Sequence, residues 1–267
     1  MTGTLRHVPS RGLAVVTGAS TGIGRAFAEL LAGEGYDLVL AADEPEVEQV
    51  AEGLAASGRQ VVPVQVDLSE PQGVERLHEV VSEQASPVTA GILNAGTGVH
   101  GRFDEVDLAE QLKVVDLNVR STVHLCTLLA RDMVARGTGR LLLVSSIAGK
   151  APGPGHAAYA ASKAFVHSFA EAARRELADT GVSVTSLLPG PTDTDFFDRA
   201  EMEETVVAQG PKDSAEEVAR EGYDAMVDGR DHVVAGRLVN RLQAAASGLV
   251  PDPIGARIAG QQTKPAQ

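Results

Sequence analysis

Tyr159 and Lys163 stand four residues apart in the stretch Ala157-Ala158-Tyr159-Ala160-Ala161-Ser162-Lys163. On a helix that spacing puts both side chains on one face. A tyrosine hydroxyl has an ordinary pKa of about 10, too high for an efficient base near neutrality. An ammonium beside it favours the phenolate and lowers that value. A phenol tuned in this way can take a proton from an alcohol or return one to a carbonyl oxygen. Ser146 lies 13 residues earlier, at the end of an apolar run. Its hydroxyl can hydrogen-bond the same oxygen and steady charge developing there. Alone, a Tyr-x-x-x-Lys spacing reads more readily as a surface pair with the lysine stem lying over the ring.

A second constellation begins at Thr17-Gly18-Ala19-Ser20-Thr21-Gly22-Ile23-Gly24, between an apolar run and a helical stretch. Glycines permit backbone torsions closed to other residues and let a pyrophosphate approach the main chain. The helix that follows offers free N–H groups and the positive end of its dipole. The spacing is G-x-x-x-G-x-G, in the strand–turn–helix setting that dinucleotide binding requires. Asp43 follows the next apolar run, 19 positions beyond Gly24. A carboxylate about 20 residues on can accept hydrogen bonds from an adenosine ribose and repel a 2′-phosphate. Glu44 adds repulsion, and neither Thr21 nor Ala42 supplies a positive charge, so NAD is favoured over NADP. The two acids would also suit the start of a helix, with Pro45 in its first turn.

These residues need a frame. Six apolar runs read as buried strands: Leu13–Thr17, Asp37–Ala41, Val61–Val66, Ala90–Asn94, Arg140–Ser145 and Val182–Leu188, with His232–Ala235 as a seventh. They lack apolar–polar alternation, as expected of parallel strands covered on both faces. Between them lie helical stretches, Ile23–Gly33, Glu46–Ala56, Gln72–Gln84, Leu108–Arg136, Ala157–Thr180 and Ser214–Val227. Strand and helix in alternation predict an α/β fold with a doubly wound sheet of the Rossmann type. No linker or repeat divides it, so residues 11–248 are expected to be one domain. Residues 1–10 and 249–267 are expected to be poorly held tails.

Composition narrows the partners. Thirty-six acidic against 23 basic side chains give a formal net charge of −13 over 267 residues. Such a surface repels phosphate backbones, which argues against nucleic acid. Aromatics are 3% with no Trp, so base-stacking platforms are scarce and the core is aliphatic. The single cysteine, Cys126, allows no internal disulfide and reads as a small core residue. The seven histidines show no ligand spacing, and no metal is expected. No apolar run approaches the about 18 residues of a membrane span. The first ten residues lack the apolar core of a secretory signal, so a cytoplasmic protein is expected.

With all of these in place, the sequence resembles the short-chain dehydrogenase/reductases over roughly residues 12–240. The resemblance rests on ordered motifs: Gly18/Gly22/Gly24, Asp67-Leu68, Asn94-Ala95-Gly96, Asn118, Ser145-Ser146, Tyr159/Lys163 and Pro189-Gly190-Pro191-Thr192-Asp193-Thr194. It implies an NAD(P)-dependent oxidoreductase that interconverts a secondary alcohol and a ketone. It implies about seven mostly parallel strands in the order 3-2-1-4-5-6-7. Tyr159 would be the acid/base, Lys163 its tuner and a hold on the nicotinamide ribose, and Ser146, which family spacing selects over Ser145, the oxyanion partner. Asn118 would anchor a proton relay. Ser20, Thr21 and Ile23 belong to the phosphate turn, Asp67 and Leu68 would meet the adenine, and Asn94, Ala95 and Gly96 would lie beside the adenosine. Pro189, Gly190, Thr192 and Thr194 would serve the carboxamide and pyrophosphate. The stretch 195–210 would cover the substrate, and Phe196, Phe197 and Met202 within it could form an apolar lid. His156, three residues before Tyr159, could line the pocket or stand on the surface at a helix start. The acids Glu201–Glu204 read as a solvated face. The long helices Leu108–Arg136 and Ala157–Thr180 resemble those that pair subunits into a homodimer or homotetramer. Two rivals stand beside this reading: a 3-oxoacyl-thioester (acyl carrier) reductase, which would want a basic mouth around Arg102, Arg120 and Lys150, and a dinucleotide-sensing regulator without catalysis.

Overall fold

Apolar runs without alternation bury both of their faces, and here they build the sheet. The expected burial holds for Leu13–Thr17 but not for the edge strand Val61–Gln65, where Pro63 and Gln65 are exposed. The computed structural model describes residues 11–56, 58–238, 240, 241, 244 and 252–264. Seven strands form: β1 Leu13–Thr17, β2 Asp37–Ala42, β3 Val61–Gln65, β4 Val88–Leu93, β5 Gly139–Val144, β6 Val182–Pro189 and β7 His232–Ala235. They pair in the order β3-β2-β1-β4-β5-β6-β7, and all six pairings are parallel. The expected order is therefore present. Parallel neighbours need long crossovers, and helices supply them.

The helices are α1 Gly22–Gly33, α2 Glu46–Ala55, α3 Pro71–Ser82, α4 Leu108–Val115, α5 Ser121–Arg136, α6 Ala157–Glu176, α7 Phe196–Arg199, α8 Val206–Gln209, α9 Ala215–Val227 and α10 Asp252–Gln262. Period-2 side chains send alternate strand residues to opposite faces. Ala14 and Val16 of β1 join a core with Phe27 and Leu31 of α1 and Val218 and Met226 of α9. Leu13 and Val15 join another with Leu77 of α3, Leu129 and Met133 of α5 and Val166 of α6. Cys126 lies buried in this second core, where dehydration pushes its thiol up to about 12.

Two expectations are corrected. The stretch Leu108–Arg136 is not one α-helix: Asp116–Arg120 form a π-turn between α4 and α5, closed by Ser121 N–H donating to Asp116 C=O. That i→i+5 bond inserts one extra residue, a widening that recurs at functional positions. The expected tail at 249–267 carries α10, and beyond it Thr263 is buried with its hydroxyl donating to Pro154 C=O at 2.8 Å. The signal was Asp252-Pro253, since proline suits the first helical turn. The lid stretch 195–210 carries the short helices α7 and α8. The expected tail at 1–10, the boundary at 248 and residues 249–251 and 265–267 lie outside the described residues.

The order of strands reverses between β1 and β4. At such a switch point the crevice beyond the carboxyl ends of the strands is the natural ligand site. No helix among the described residues is long and apolar enough to cross a membrane.

Candidate active site

The cleft at that crevice holds about 680 Å³ and takes lining residues from every strand end from β1 to β6. Volumes of about 300 to 1,000 Å³ suit a small ligand or cofactor.

The phosphate turn closes it on one side. Gly18 and Gly22 have φ of +64° and +55°, torsions that favour glycine. α1 starts at Thr21, which gives no side-chain cap, and its first turn carries no acid. The N–H groups of a helix's first turn have no partner within the helix. Here they border the cleft uncapped, and this donor set fits a dinucleotide pyrophosphate. Asn94 fastens the turn: its amide donates to the carbonyls of Thr17 at 3.0 Å and Gly18 at 3.2 Å, while Thr17 Oγ1 accepts from Asn94 and Ala95 N–H at 3.0 Å each. Thr194 packs against Gly22 from the far side. Thr192 spends its hydroxyl on Gly190 C=O at 3.0 Å. Asp67 is exposed and caps Ser69 N–H at 2.8 Å, with Leu68 buried beside it.

The reacting end lies where β5 meets α6. Ser145 points away and donates to Lys163 C=O at 2.6 Å. Ser146 Oγ accepts from Ala148 N–H at 3.1 Å and is hydrogen-bonded with Tyr159. Lys163 is buried, its Nζ donating to Val144 C=O at 2.9 Å and lying 5.8 Å from the Tyr159 ring centre. Asn118 sits on the π-turn and reaches across: Oδ1 accepts from Thr97 N–H, and Nδ2 donates to Thr97 C=O and Ser162 Oγ, each at 2.9 Å. It thereby staples the loop after β4 to α6, and its Oδ1 and Lys163 Nζ both border Gly96.

The electrostatics depart from the expected tuning. Dehydration at the cleft floor pushes Tyr159 up to about 12, and the Ser146 hydrogen bond only partly offsets it. Dehydration also pulls Lys163 down to about 8. Burial therefore outweighs the attraction between phenolate and ammonium, and the phenol holds its proton at neutrality.

Over the substrate end, the Phe196 ring lies 5.0 Å from that of Tyr159. Phe197 is buried with Ala200, Met202 and Ala208 in a small core of the lid itself. His156 lies 6.0 Å from Tyr159, edge to face, and dehydration pulls it down to about 4, with His100 adding to the effect. Its Nδ1 is buried without a partner among the described residues. The residues sequence reasoning missed include Ala259, Gln262 and Thr263, which wall the cleft from α10 and just beyond it. His100 Nε2 lies 3.0 Å from Thr263 C=O, and Val206 N–H donates to Lys264 C=O at 3.0 Å, so this segment ties the lid to the mouth. Also missed is Asp213, whose carboxylate holds Asn240 at 2.6 Å and Arg237 at 3.0 Å behind the Pro189-Gly190 turn.

Arg199 was likewise missed. It donates from Nη1 to Glu44 Oε1 at 2.8 Å and from Nη2 to Thr21 Oγ1. Ser20 Oγ donates to Glu44 Oε2 at 2.7 Å. The expectation of NAD rested on Asp43 and Glu44 together with the want of a cation here, and the lid brings one.

The short chain dehydrogenase profile matches residues 12–205. The chain belongs to the short-chain dehydrogenase family. A glycine betaine reductase of Emericella nidulans is 35% identical over 205 residues, which are 76% of this chain and 16% of that protein. The chain spans between 16% and 31% of the length of several curated relatives it matches. A short-chain dehydrogenase of Burkholderia phymatum, solved with NAD, superposes with a TM-score of 0.82 at 26% identity, covering 97% of this chain and 98% of that one. One from Sphingobium yanoikuyae, solved with NADPH, has a TM-score of 0.80 at 27% identity, covering 96% and 99%. This short-chain dehydrogenase thus shares its family with oxidoreductases solved with either dinucleotide.

Proposed function

We propose that this short-chain dehydrogenase interconverts a secondary alcohol and a ketone with a nicotinamide dinucleotide. The observation that carries this is the meeting, in one cleft, of Tyr159 bonded to Ser146, the buried Lys163 ammonium, and the uncapped N-terminus of α1. A bound dinucleotide would supply or accept the hydride. Tyr159 exchanges the proton with the substrate oxygen, and Ser146 fixes that oxygen by a hydrogen bond. Lys163 and Gly96 border the ribose side of the cleft, and Asn118, behind them, would anchor the proton relay through Lys163. Phe196 shields the reacting centre from water, and His156 walls the pocket edge-on to Tyr159. The test is a thermal-shift comparison of NAD, NADH, NADP and NADPH, followed by a ketone and alcohol panel read at the reduced nicotinamide absorbance. No stabilisation by any dinucleotide, or no turnover on any member, would sink the reading.

The acyl-carrier rival wanted free cations at the mouth. Arg102 pairs with Asp104 at 2.6 Å, Arg120 with Asp116 at 3.4 Å, and Lys150 lies 2.7 Å from His167 Nε2. These engagements favour a small-molecule substrate.

The raised phenol gives the reaction a pH signature. Alcohol oxidation needs the deprotonated phenol, so its kcat/KM is expected to climb about tenfold per pH unit from about pH 7 to about pH 9. Ketone reduction needs the proton already present and should stay level up to about pH 8. Initial rates in both directions across that range check this; an oxidation rate flat with pH counts against Tyr159 as the acid/base.

Exposed apolar side chains on α4 support a homo-oligomer. Leu108, Leu112 and Val115, spaced for one helix face, are 68%, 52% and 43% exposed, with Phe103 at 72% beside them. Apolar surface of this kind marks an interaction site. Leu108→Glu with Leu112→Glu is expected to yield monomers with unchanged circular dichroism. Light scattering after gel filtration checks it; an unchanged mass places the interface elsewhere.

A further inference from the structure

The helix α7 spans only four residues, yet it touches both ends of the cleft. Phe196 packs on Tyr159 at the reacting end, and Arg199 reaches Glu44 beyond β2 and Thr21 beyond β1. Two adjacent carboxylates lie at that second end. Glu44 is engaged on both oxygens, by Arg199 and Ser20. Asp43 is exposed and its carboxylate makes no hydrogen bond or ion pair among the described residues. Read from the strand end alone, the charge there is two negatives. With Arg199 it falls to one, and the cation arrives from 155 positions along the chain.

We propose that Arg199 sets the choice between the two dinucleotides: it is the cation that admits a 2′-phosphate on the adenosine ribose, with Glu44 as the counter-charge that holds it ready. This rests on the dinucleotide reading above. A guanidinium presents a planar fork of donors that matches phosphate oxygens and keeps its charge at any working pH. The Ser20 and Thr21 hydroxyls flank it and can turn to donate to the same oxygens. An incoming phosphate draws Arg199 from Glu44, and Ser20 stays with the carboxylate or follows the phosphate. Asp43 remains the uncompensated negative charge that resists it. The two carboxylates thus act in opposite senses: Asp43 through its own charge, Glu44 through competition for Arg199.

The test is calorimetric binding, independent of turnover. Two ligands isolate the adenosine end, 2′,5′-ADP and 5′-AMP, and NADPH and NADH repeat the comparison in the full cleft. For Arg199→Ala, the Kd of 2′,5′-ADP and NADPH is expected to rise about thirtyfold, while that of 5′-AMP and NADH moves less than about threefold. Arg199→Lys, which keeps the charge without the fork, should restore part of the loss. Glu44→Gln frees the cation and should tighten 2′,5′-ADP by about fivefold, a gain that disappears in Glu44→Gln with Arg199→Ala. An equal change for phosphorylated and unphosphorylated ligands would mean that Arg199 only fastens the lid, and would overturn the proposal, as would no change for either. If the unaltered protein binds none of the four ligands, the dinucleotide reading itself fails, which is a different result.

Discussion

Tyr159→Phe is expected to lower kcat by about three orders of magnitude, within the range that general acid–base groups supply, while dinucleotide affinity stays within about threefold. Only one atom is lost. The ring keeps its packing against Phe196 and His156, so the lid and the substrate wall have no cause to move. The lost hydroxyl is bonded to Ser146, and Ser146 retains its own bond from Ala148 N–H. No other phenol can substitute: Tyr223 lies with Glu34 on the far side of the sheet, and Tyr36 is buried in the core beside it. Steady-state turnover at saturating dinucleotide measures the loss, and calorimetry measures the binding. The pair of readings also separates an enzyme from a regulator that only senses the cofactor, because a sensor's response would survive the change. Turnover within tenfold of the unaltered protein would remove Tyr159 from the chemistry and leave Ser146 or a bound water as the proton source.

What the sequence carried, and what it withheld, divides along physical lines. Buried parallel strands announce themselves because both faces are apolar, and β1, with Leu13 and Val15 on one side and Ala14 and Val16 on the other, is readable from five residues. The glycine turn is readable because φ of +64° and +55° lies in the left-handed region that favours glycine. The order of the strands is not local, and the expectation came from the resemblance of ordered motifs rather than from periodicity. Features that join distant loops were illegible. Nothing near Glu44 signals that Arg199 will meet it, since the contact depends on where the crossover after β6 delivers the lid. The same holds for Asp213 with Arg237 and Asn240. Proton affinity was misjudged for a related reason: the i,i+4 spacing of Tyr159 and Lys163 gave the attraction but not the burial, and burial prevailed. The π-turn at Asn118 hides inside a helical pattern because one extra residue per turn barely disturbs the spacing of apolar positions.

Gly24→Ala is expected to abolish detectable dinucleotide binding and to lower stability by about 3 kcal/mol or more, among the larger effects of a single methyl group. The methyl carbon would stand 1.9 Å from Gly18 C=O and 2.5 Å from Asn94 Nδ2. Neither is the free end of a flexible chain. Gly18 is backbone held at φ +64°, and the Asn94 amide is tied to the Thr17 and Gly18 carbonyls. To make room, α1 must withdraw from β1 or the turn must open, and either movement carries the uncapped N–H groups away from the position that a pyrophosphate needs. The same helix holds its own control. Gly33, at the other end of α1, has open space where its methyl would go, so Gly33→Ala should be neutral or stabilising by up to about 1 kcal/mol through helix propensity. Thermal unfolding of both variants, with and without NADH and NADPH, separates propensity from collision. A Gly24→Ala protein that still gains melting temperature with either dinucleotide would mean that the pyrophosphate is held elsewhere than on the first turn of α1.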